Sequence, residues 1–425
     1  MERRPEPLTI EQFRPTDPKL AALGRLLFYD PILSGNRNIA CATCHHHDHG
    51  SGDGLSLPVG EGGRGIGPRR DVGEGASRVS ERVPRHSPTL FNLGHVSIRT
   101  LFHDGRLSVD PSVPSGFDSP VLDARLDDLP PGLDGIVAAQ AMLPVTSRTE
   151  MAGHPTENEI ARDGLLRPTK VWGRLARRVA AIPDYVALFV DAYSEVEAAD
   201  DIRYRHVANA LADFIESEWR SMDAPYDRWL RGEPGALSPL QERGASIFYG
   251  RGACAACHAG PLLTDQRHHA LAMPQIGPGR TRVFADGAFD RGRVNVTDRI
   301  GDAYRFRTPS LRNVASTAPY THAGAYSRLE SVIRHHIDPE EALASYDPSE
   351  AILPRHDTLT AADFLTHGND RERGRMLAAL DPLPRGLNES DIEALVAFLH
   401  ALDDPVALMG RLGAPKTVPS GLPVE

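Results

Sequence analysis

Two copies of Cys-x-x-Cys-His, Cys41-Ala-Thr-Cys44-His45 and Cys254-Ala-Ala-Cys257-His258, use all four cysteines of the chain. This spacing is the attachment signature of c-type haem. The two thiols add across the porphyrin vinyl groups, and the adjacent histidine ligates the iron. A Cys₄ zinc site would need the two pairs to converge and would leave both following histidines unexplained. The chain is therefore expected to fold around two covalently bound haem c groups and to be a redox protein. It then carries electrons, reduces peroxide or oxidises another molecule.

The chain has 425 residues, 40% of them hydrophobic, enough for two or three compact domains. Nothing in it approaches the roughly 20 apolar residues that span a membrane. Its start, Met1-Glu2-Arg3-Arg4, has no apolar signal region. Because c-type haem is attached outside the cytoplasm, the chain reads as a mature or trimmed periplasmic form. The formal charge of −10 argues against nucleic acid, which wants a basic patch. Abundant Gly and Pro (38 and 35) point to long loops, as expected where haem replaces part of a protein core.

The chain looks duplicated. Asp17-Pro18 opens a helix with Asp as cap and Pro at the first helical position. Leu20, Leu23, Leu26 and Leu27 line one face, and the helix closes with Phe28-Tyr29 before Cys41. Ser238-Pro239-Leu240-Gln241 makes the same start, with Gln three after the Ser cap, and runs to Phe248-Tyr249 before Cys254. Each half ends in a similar amphipathic helix: Val207, Leu211, Phe214 and Ile215 in one, Ile392, Leu395, Val396, Leu399 and Leu402, capped by Asn388, in the other. A helix before the haem motif and a helix after it describe a cytochrome c domain. The expected fold is all-α, with cytochrome c-like domains at 17–220 and 235–405. Residues 50–85 read as a long loop over the first haem, and 107–137, with Asp127-Asp128-Leu129-Pro130-Pro131, as an insertion.

Between and around the haem motifs lie further strings. Leu23-Gly24-Arg25-Leu26-Leu27-Phe28-Tyr29-Asp30-Pro31-Ile32-Leu33-Ser34 comes first. Ser87-Pro88-Thr89-Leu90-Phe91-Asn92 and Phe102-His103-Asp104-Gly105-Arg106 follow, then Thr308-Pro309-Ser310-Leu311-Arg312-Asn313 and Thr317-Ala318-Pro319-Tyr320. In this order the chain resembles the bacterial di-haem cytochrome c peroxidase/MauG family over roughly residues 20–405. The resemblance assigns peroxide chemistry to the first haem and electron relay to the second. It also implies a distal trio, Gln, Pro four later and Glu six after that, kept here as Gln140, Pro144 and Glu150. A carboxylate over the iron takes the proton from the bound peroxide oxygen and delivers it to the leaving one. Burial against porphyrin would raise its pKa toward working pH.

Three positions depart from the family pattern. His103 stands where Trp usually lies between the haems, and a neutral imidazole is a poorer hole relay. His336 stands where the peroxidases place Met and MauG places Tyr as sixth ligand of the second haem. Helix neighbours point about 100° apart, so only one of His335 and His336 can face the iron. His336 is the expected ligand, giving a bis-histidine haem with His258; Met273 is the alternative. Loss of Met should lower that haem's potential. Third, residues 50–85 hold no histidine that could block the first haem, so an accessible site is expected. The resemblance also implies an interdomain calcium, for which Thr317 and Pro319 remain as candidates, whereas His86 replaces a family Asn and is a poor ligand.

The leading expectation is a MauG-like oxidase: hydrogen peroxide drives the haem pair to a high-valent state, which oxidises an aromatic residue, Trp foremost, on a periplasmic partner protein. The His/His pattern resembles the MbnH-type branch, whose substrates are MbnP-type copper-binding proteins. The alternative is a peroxidase drawing electrons from a small cytochrome c or cupredoxin. A non-enzymatic electron carrier would need neither Gln140 nor Glu150.

Overall fold

The computed structural model describes residues 5–75, 78–119, 129–280, 289–354, 356–383 and 386–424. The proposed insertion is described only at its ends, and Asp127 and Asp128 lie outside the described residues.

The fold is all-α with short strands. Helix α1 (Pro18–Tyr29) begins where Asp17 accepts the backbone N–H of Lys19 and Leu20. It packs on α2 (Tyr204–Glu218). In the second half, α3 (Pro239–Tyr249) packs on α5 (Glu389–His400), and α4 (Leu329–Ile337) packs on α5 as well. The expected Ser238–Gln241 capping box forms, and Asn388, expected as a cap, makes a second box with Asp391. Each box satisfies two otherwise orphaned helix-terminal donors.

The duplication extends to the contact at the centre of each pair. A side chain on Gly24 would overlap the Ala210 carbonyl of α2, and one on Gly244 would overlap the Ala394 carbonyl of α5. In each pair a glycine lets two helix backbones approach closely. Four residues on, Phe28 meets Phe214 at 5.2 Å between ring centroids, and Phe248 meets Phe398 at 5.1 Å. One large apolar core gathers around α1 and α2, and a smaller one around α3 and α5.

Each half carries a short sheet of its own, and two further features tie the halves together. A short sheet orders β1 (Thr100–Leu101), β2 (Leu107–Val109) and β3 (Phe117–Asp118) antiparallel, and β4 (His268–His269) pairs with β5 (Phe306–Arg307). Buried ion pairs cross between the halves: Arg82 grips Asp363 at 2.6 and 2.7 Å, and Arg85 grips Asp290 at 2.6 and 2.8 Å. Finally, the chain beyond the second core runs back over the first. After α6 (Pro405–Met409), Ala407 and Val418 enter the first core and Ser420 donates to Asp30 at 2.7 Å. No helix among the described residues is long and apolar enough to cross a membrane.

Candidate active site

Two cavities lie side by side. The larger, about 570 Å³, holds Cys254, Cys257 and His258 on its wall together with His336 and Met273. The smaller, about 160 Å³, holds Cys41, Cys44 and His45, with Gln140, Pro144 and Glu150 on the same wall. The trio separated by ten residues in sequence and nearly a hundred from the first motif is thus brought to that motif. His103 lines both cavities, as do the backbone segment 86–89 and Arg307.

The local structure explains how the three histidines present themselves. His45 Nδ1 meets the Ser51 carbonyl at 2.9 Å, His258 Nδ1 the Leu263 carbonyl at 3.1 Å, and His336 Nδ1 the Val332 carbonyl at 2.8 Å. A carbonyl only accepts, so each Nδ1 carries the hydrogen and leaves Nε2 as a lone pair, the form that binds a metal. Burial keeps each ring neutral; it holds His258 down to about 4, with nearby His336 a further cause. His335 is different. Its two nitrogens pair with Tyr326 Oη at 2.9 Å and the Leu271 carbonyl at 2.8 Å, and its side chain is fully buried away from the cavity.

The turn that carries Glu150 is held by the loop that sequence placed over the first haem. Gln140 lies in the last turn of the helix Ile136–Ala141, and Glu150 sits in the π-helical turn Arg148–Ala152. The Glu150 carbonyl accepts from Glu61 N–H at 3.0 Å. Gly60 lies so close to Thr149 that a side chain there would overlap its carbonyl. Buried Arg70 stiffens this loop by donating to the carbonyls of Val59, Gly60 and Gly65 at 2.5, 2.9 and 2.6 Å.

His103 Nε2 donates to the His86 carbonyl, 3.1 Å away. The carbonyl fixes it as a donor. Burial, with Arg85 and His322 adding to it, drives its pKa far below the ordinary histidine value, so the ring is a neutral imidazole. His86 is likewise neutral: burial brings it to about 4, and its Nδ1 donates to the Leu55 carbonyl at 2.9 Å. Thr317 and Pro319 lie with His86 on the larger cavity's wall; among the described residues lining it, the carboxylate is Asp290, already taken by Arg85.

Four arginines on the smaller cavity's wall, Arg85, Arg106, Arg280 and Arg307, were not singled out from sequence. Asp104 and Asp290 balance part of their charge. Burial, with Arg280 beside it, lowers Arg106 to about 9, and burial alone lowers Arg307 to about 10. Buried cations in excess call for an anionic occupant. Paired thiols beside a ring nitrogen lone pair, apolar walls and surplus guanidinium charge suit a haem carrying two propionates. The paired thiols, the ring-nitrogen lone pair and the apolar walls are common to both cavities, so the residues present fit haem at both sites, with the surplus guanidinium charge confined to the smaller. When bound, it would supply the redox chemistry; the chain supplies ligands, charge compensation and a carboxylate for proton transfer. The Phe-His-Asp-Gly-Arg string contained Arg106, but nothing local connects it with Arg280 and Arg307.

A mostly helical fold with two such paired cavities defines a di-haem c-type oxidoreductase. Residues 18–235 match the family model of the di-haem cytochrome c peroxidases. The methylamine utilization protein MauG of Methylorubrum extorquens is 30% identical over 335 residues, covering 79% of this chain and 73% of that protein. The cytochrome c peroxidase of Escherichia coli is 31% identical over 337 residues, covering 78% of this chain and 56% of that one. The chain belongs to the di-haem cytochrome c peroxidase/MauG family, whose members are peroxide-dependent di-haem oxidoreductases. The fold is shared with a MauG-like protein associated with microbial copper homeostasis, at a TM-score of 0.61 and 23% identity over 96% of this chain and 94% of that one. It is shared too with the di-haem peroxidase BthA from Burkholderia thailandensis, at a TM-score of 0.58 and 22% identity over 93% of this chain and 88% of that one.

Proposed function

We propose that the protein is a MauG-like oxidase that uses hydrogen peroxide to oxidise an aromatic side chain, most of all Trp, on a periplasmic partner protein. The observation that carries this reading is the facing pair His258 and His336. Both line the larger cavity, and both have Nδ1 tied to a carbonyl and Nε2 free. Two imidazoles would give the second haem a lower potential than a methionine ligand, and so make its oxidised states easier to reach. Covalent attachment is through Cys41 and Cys44 to the first haem and Cys254 and Cys257 to the second.

At the first site His45 would ligate the haem iron through Nε2. Glu150 moves the peroxide proton, and Gln140 and Pro144 shape the space around it. His103, in the wall shared by the cavities, would be a neutral group on the path between the two haems. Thr317 and Pro319 are left as candidate calcium ligands through backbone and hydroxyl oxygens. The substrate protein is proposed to be a copper-binding protein of the MbnP type, a reading supported by the fold shared with a protein of copper homeostasis.

A second reading, a peroxidase fed by a small cytochrome c or cupredoxin, is favoured by Met273, which lines the same cavity as His336. The two ligand sets are separated by low-temperature EPR of the holoenzyme. We expect a low-spin bis-imidazole signal that His336→Ala removes and Met273→Leu leaves; loss of the signal in Met273→Leu with retention in His336→Ala would support the peroxidase. The first haem is expected to be high-spin in the diferric enzyme and to react with peroxide without prior reduction, because the 50–85 loop offers no histidine to block it. An all low-spin diferric enzyme, inert to stoichiometric peroxide, would contradict that expectation. Function itself is tested by mass spectrometry of the partner after treatment with enzyme and peroxide.

A further inference from the structure

Among the described residues lining the larger cavity are two tyrosines, Tyr304 and Tyr320. They differ in what meets the phenol. Tyr304 Oη donates to Glu372 Oε1 at 2.6 Å, and both residues are buried, at 7% and 1% exposure. Arg375 donates to the other carboxylate oxygen at 2.9 Å, and Arg291 Nε lies 3.7 Å from the first. Burial above all, with Glu372 after it, pushes the Tyr304 phenol up to about 12, so it holds its proton at neutral pH. Tyr320 has Asp403 and Glu330 in its surroundings, without a hydrogen bond from its phenol to either.

The backbone delivers this phenol at a cost. Tyr304 is left-handed, with φ of 61°. That region suits Gly or Asn, and a bulky aromatic there is an outlier that the surrounding structure must hold in place. The Tyr304 N–H donates to the Arg291 carbonyl at 2.8 Å, and Gly292 bridges Arg305 next to it. The ring packs with Ala272 and Met376, which line the same cavity. The phenol thereby reaches Glu372 in the first turn of the helix Asp370–Ala378. The peroxide chemistry described above uses neither Tyr304 nor Glu372, and neither neighbours a proposed iron ligand in sequence.

We propose that Tyr304 is a redox-active tyrosine on the wall of the second haem site, with Glu372 as its proton acceptor. One electron leaves Tyr304 and consumes one of the two oxidising equivalents that hydrogen peroxide delivers. The phenolic O–H bond breaks and a new O–H bond forms at Glu372 Oε1. The products are a neutral phenoxyl radical and a carboxylic acid. A phenol without a base can be oxidised only to a cation, which is much harder to form in a buried site. Tyr320 has no base against its phenol, so Tyr304 is where an oxidising equivalent comes to rest. It rests close to the surface: Ile300, in the turn Ile300–Asp302 just before Tyr304, is 89% exposed. The proposal needs the family's peroxide chemistry and not the identity of the final substrate.

The test is rapid freeze-quench EPR of the holoenzyme mixed with hydrogen peroxide. The expected result is an organic radical whose hyperfine structure narrows when the enzyme is produced with ring-deuterated tyrosine, a measurement that changes no residue. The radical should be lost in Tyr304→Phe, which keeps the ring packing, and kept in Tyr320→Phe. It should be lost in Glu372→Gln as well, because the amide has the shape of the carboxylate but cannot take up the phenolic proton. In each variant the haem absorbance and the low-spin signal before peroxide is added should match the parent, which separates loss of the radical from loss of the fold; should one variant fail to bind haem, the other decides. A radical that persists in Tyr304→Phe or in Glu372→Gln, one that narrows only with deuterated tryptophan, or no organic radical at all would overturn the proposal. Each of these results leaves the nature of the final substrate to the mass spectrometry of the partner, so the two readings fail separately.

Discussion

Replacing Glu150 with glutamine should slow the reaction with hydrogen peroxide by at least about 100-fold, the low end of what general acid–base catalysis contributes. The amide has nearly the shape of the carboxylate and cannot shuttle a proton. Glu150 shares the smaller cavity with His45, Gln140 and Pro144, and its turn is anchored from outside by the Glu61 N–H and the close approach of Gly60. The substitution should therefore leave both haems attached and the fold intact. Stopped-flow absorbance of the diferric enzyme mixed with peroxide measures the rate directly. A rate within a few-fold of the parent would move proton transfer to another group. The anchoring loop gives a second handle: Arg70→Ala removes the donors to Val59, Gly60 and Gly65, and should slow the reaction through misplacement of Glu150 rather than loss of its carboxylate.

Gly24→Ala and Gly244→Ala should be strongly destabilising for so small a change. At either site the new methyl group meets a backbone carbonyl of the partner helix, Ala210 or Ala394, with a phenylalanine Cβ close behind. A backbone atom cannot rotate aside as a side chain can, so the helices must separate. Overpacking of this kind costs about 2–3 kcal/mol. For units of this size that lowers the thermal midpoint by roughly 5–10 °C. The same change at Gly374, an exposed helical glycine in Asp370–Ala378 with nothing near its missing side chain, should be neutral or mildly stabilising. Thermal scans followed by haem absorbance would compare the three. Equal midpoints for Gly24→Ala and Gly374→Ala would show that the α1–α2 approach is looser than described.

What was legible in the sequence was local. The haem motifs, the capped starts at Asp17, Ser238 and Asn388, and the apolar faces of α1, α2, α3 and α5 each lie within a short window, where spacing and helix period state the structure. The distal trio was legible only through family resemblance, since Gln140, Pro144 and Glu150 are otherwise an unremarkable polar residue, turn residue and acid. The missing parts come from remote segments. Arg280 and Arg307 reach the smaller cavity from well beyond the first motif, and no period links them to Arg85 or Arg106. The return of residues 405–424 over the first core was hidden because Pro- and Gly-rich chain carries no apolar period. Its value lies in single contacts such as Leu412 and Gly413 to Glu218. The strands escaped because elements of two or three residues are too short to show alternation.

Charge bears on how a partner would meet this surface. A formal net charge of −10 favours a partner with a neutral or basic docking face, so added salt should slow oxidation of the partner while leaving the reaction with peroxide unchanged. The central claim, that peroxide is turned on a protein rather than on a pool of electron donors, is tested most directly by mass spectrometry of a companion copper-binding protein incubated with the holoenzyme and peroxide. The account predicts a tryptophan-containing peptide that gains oxygen, or loses carbon as in kynurenine formation, only when enzyme and peroxide are both present. An unmodified partner, together with rapid steady-state oxidation of a reduced small cytochrome by the same enzyme, would contradict it.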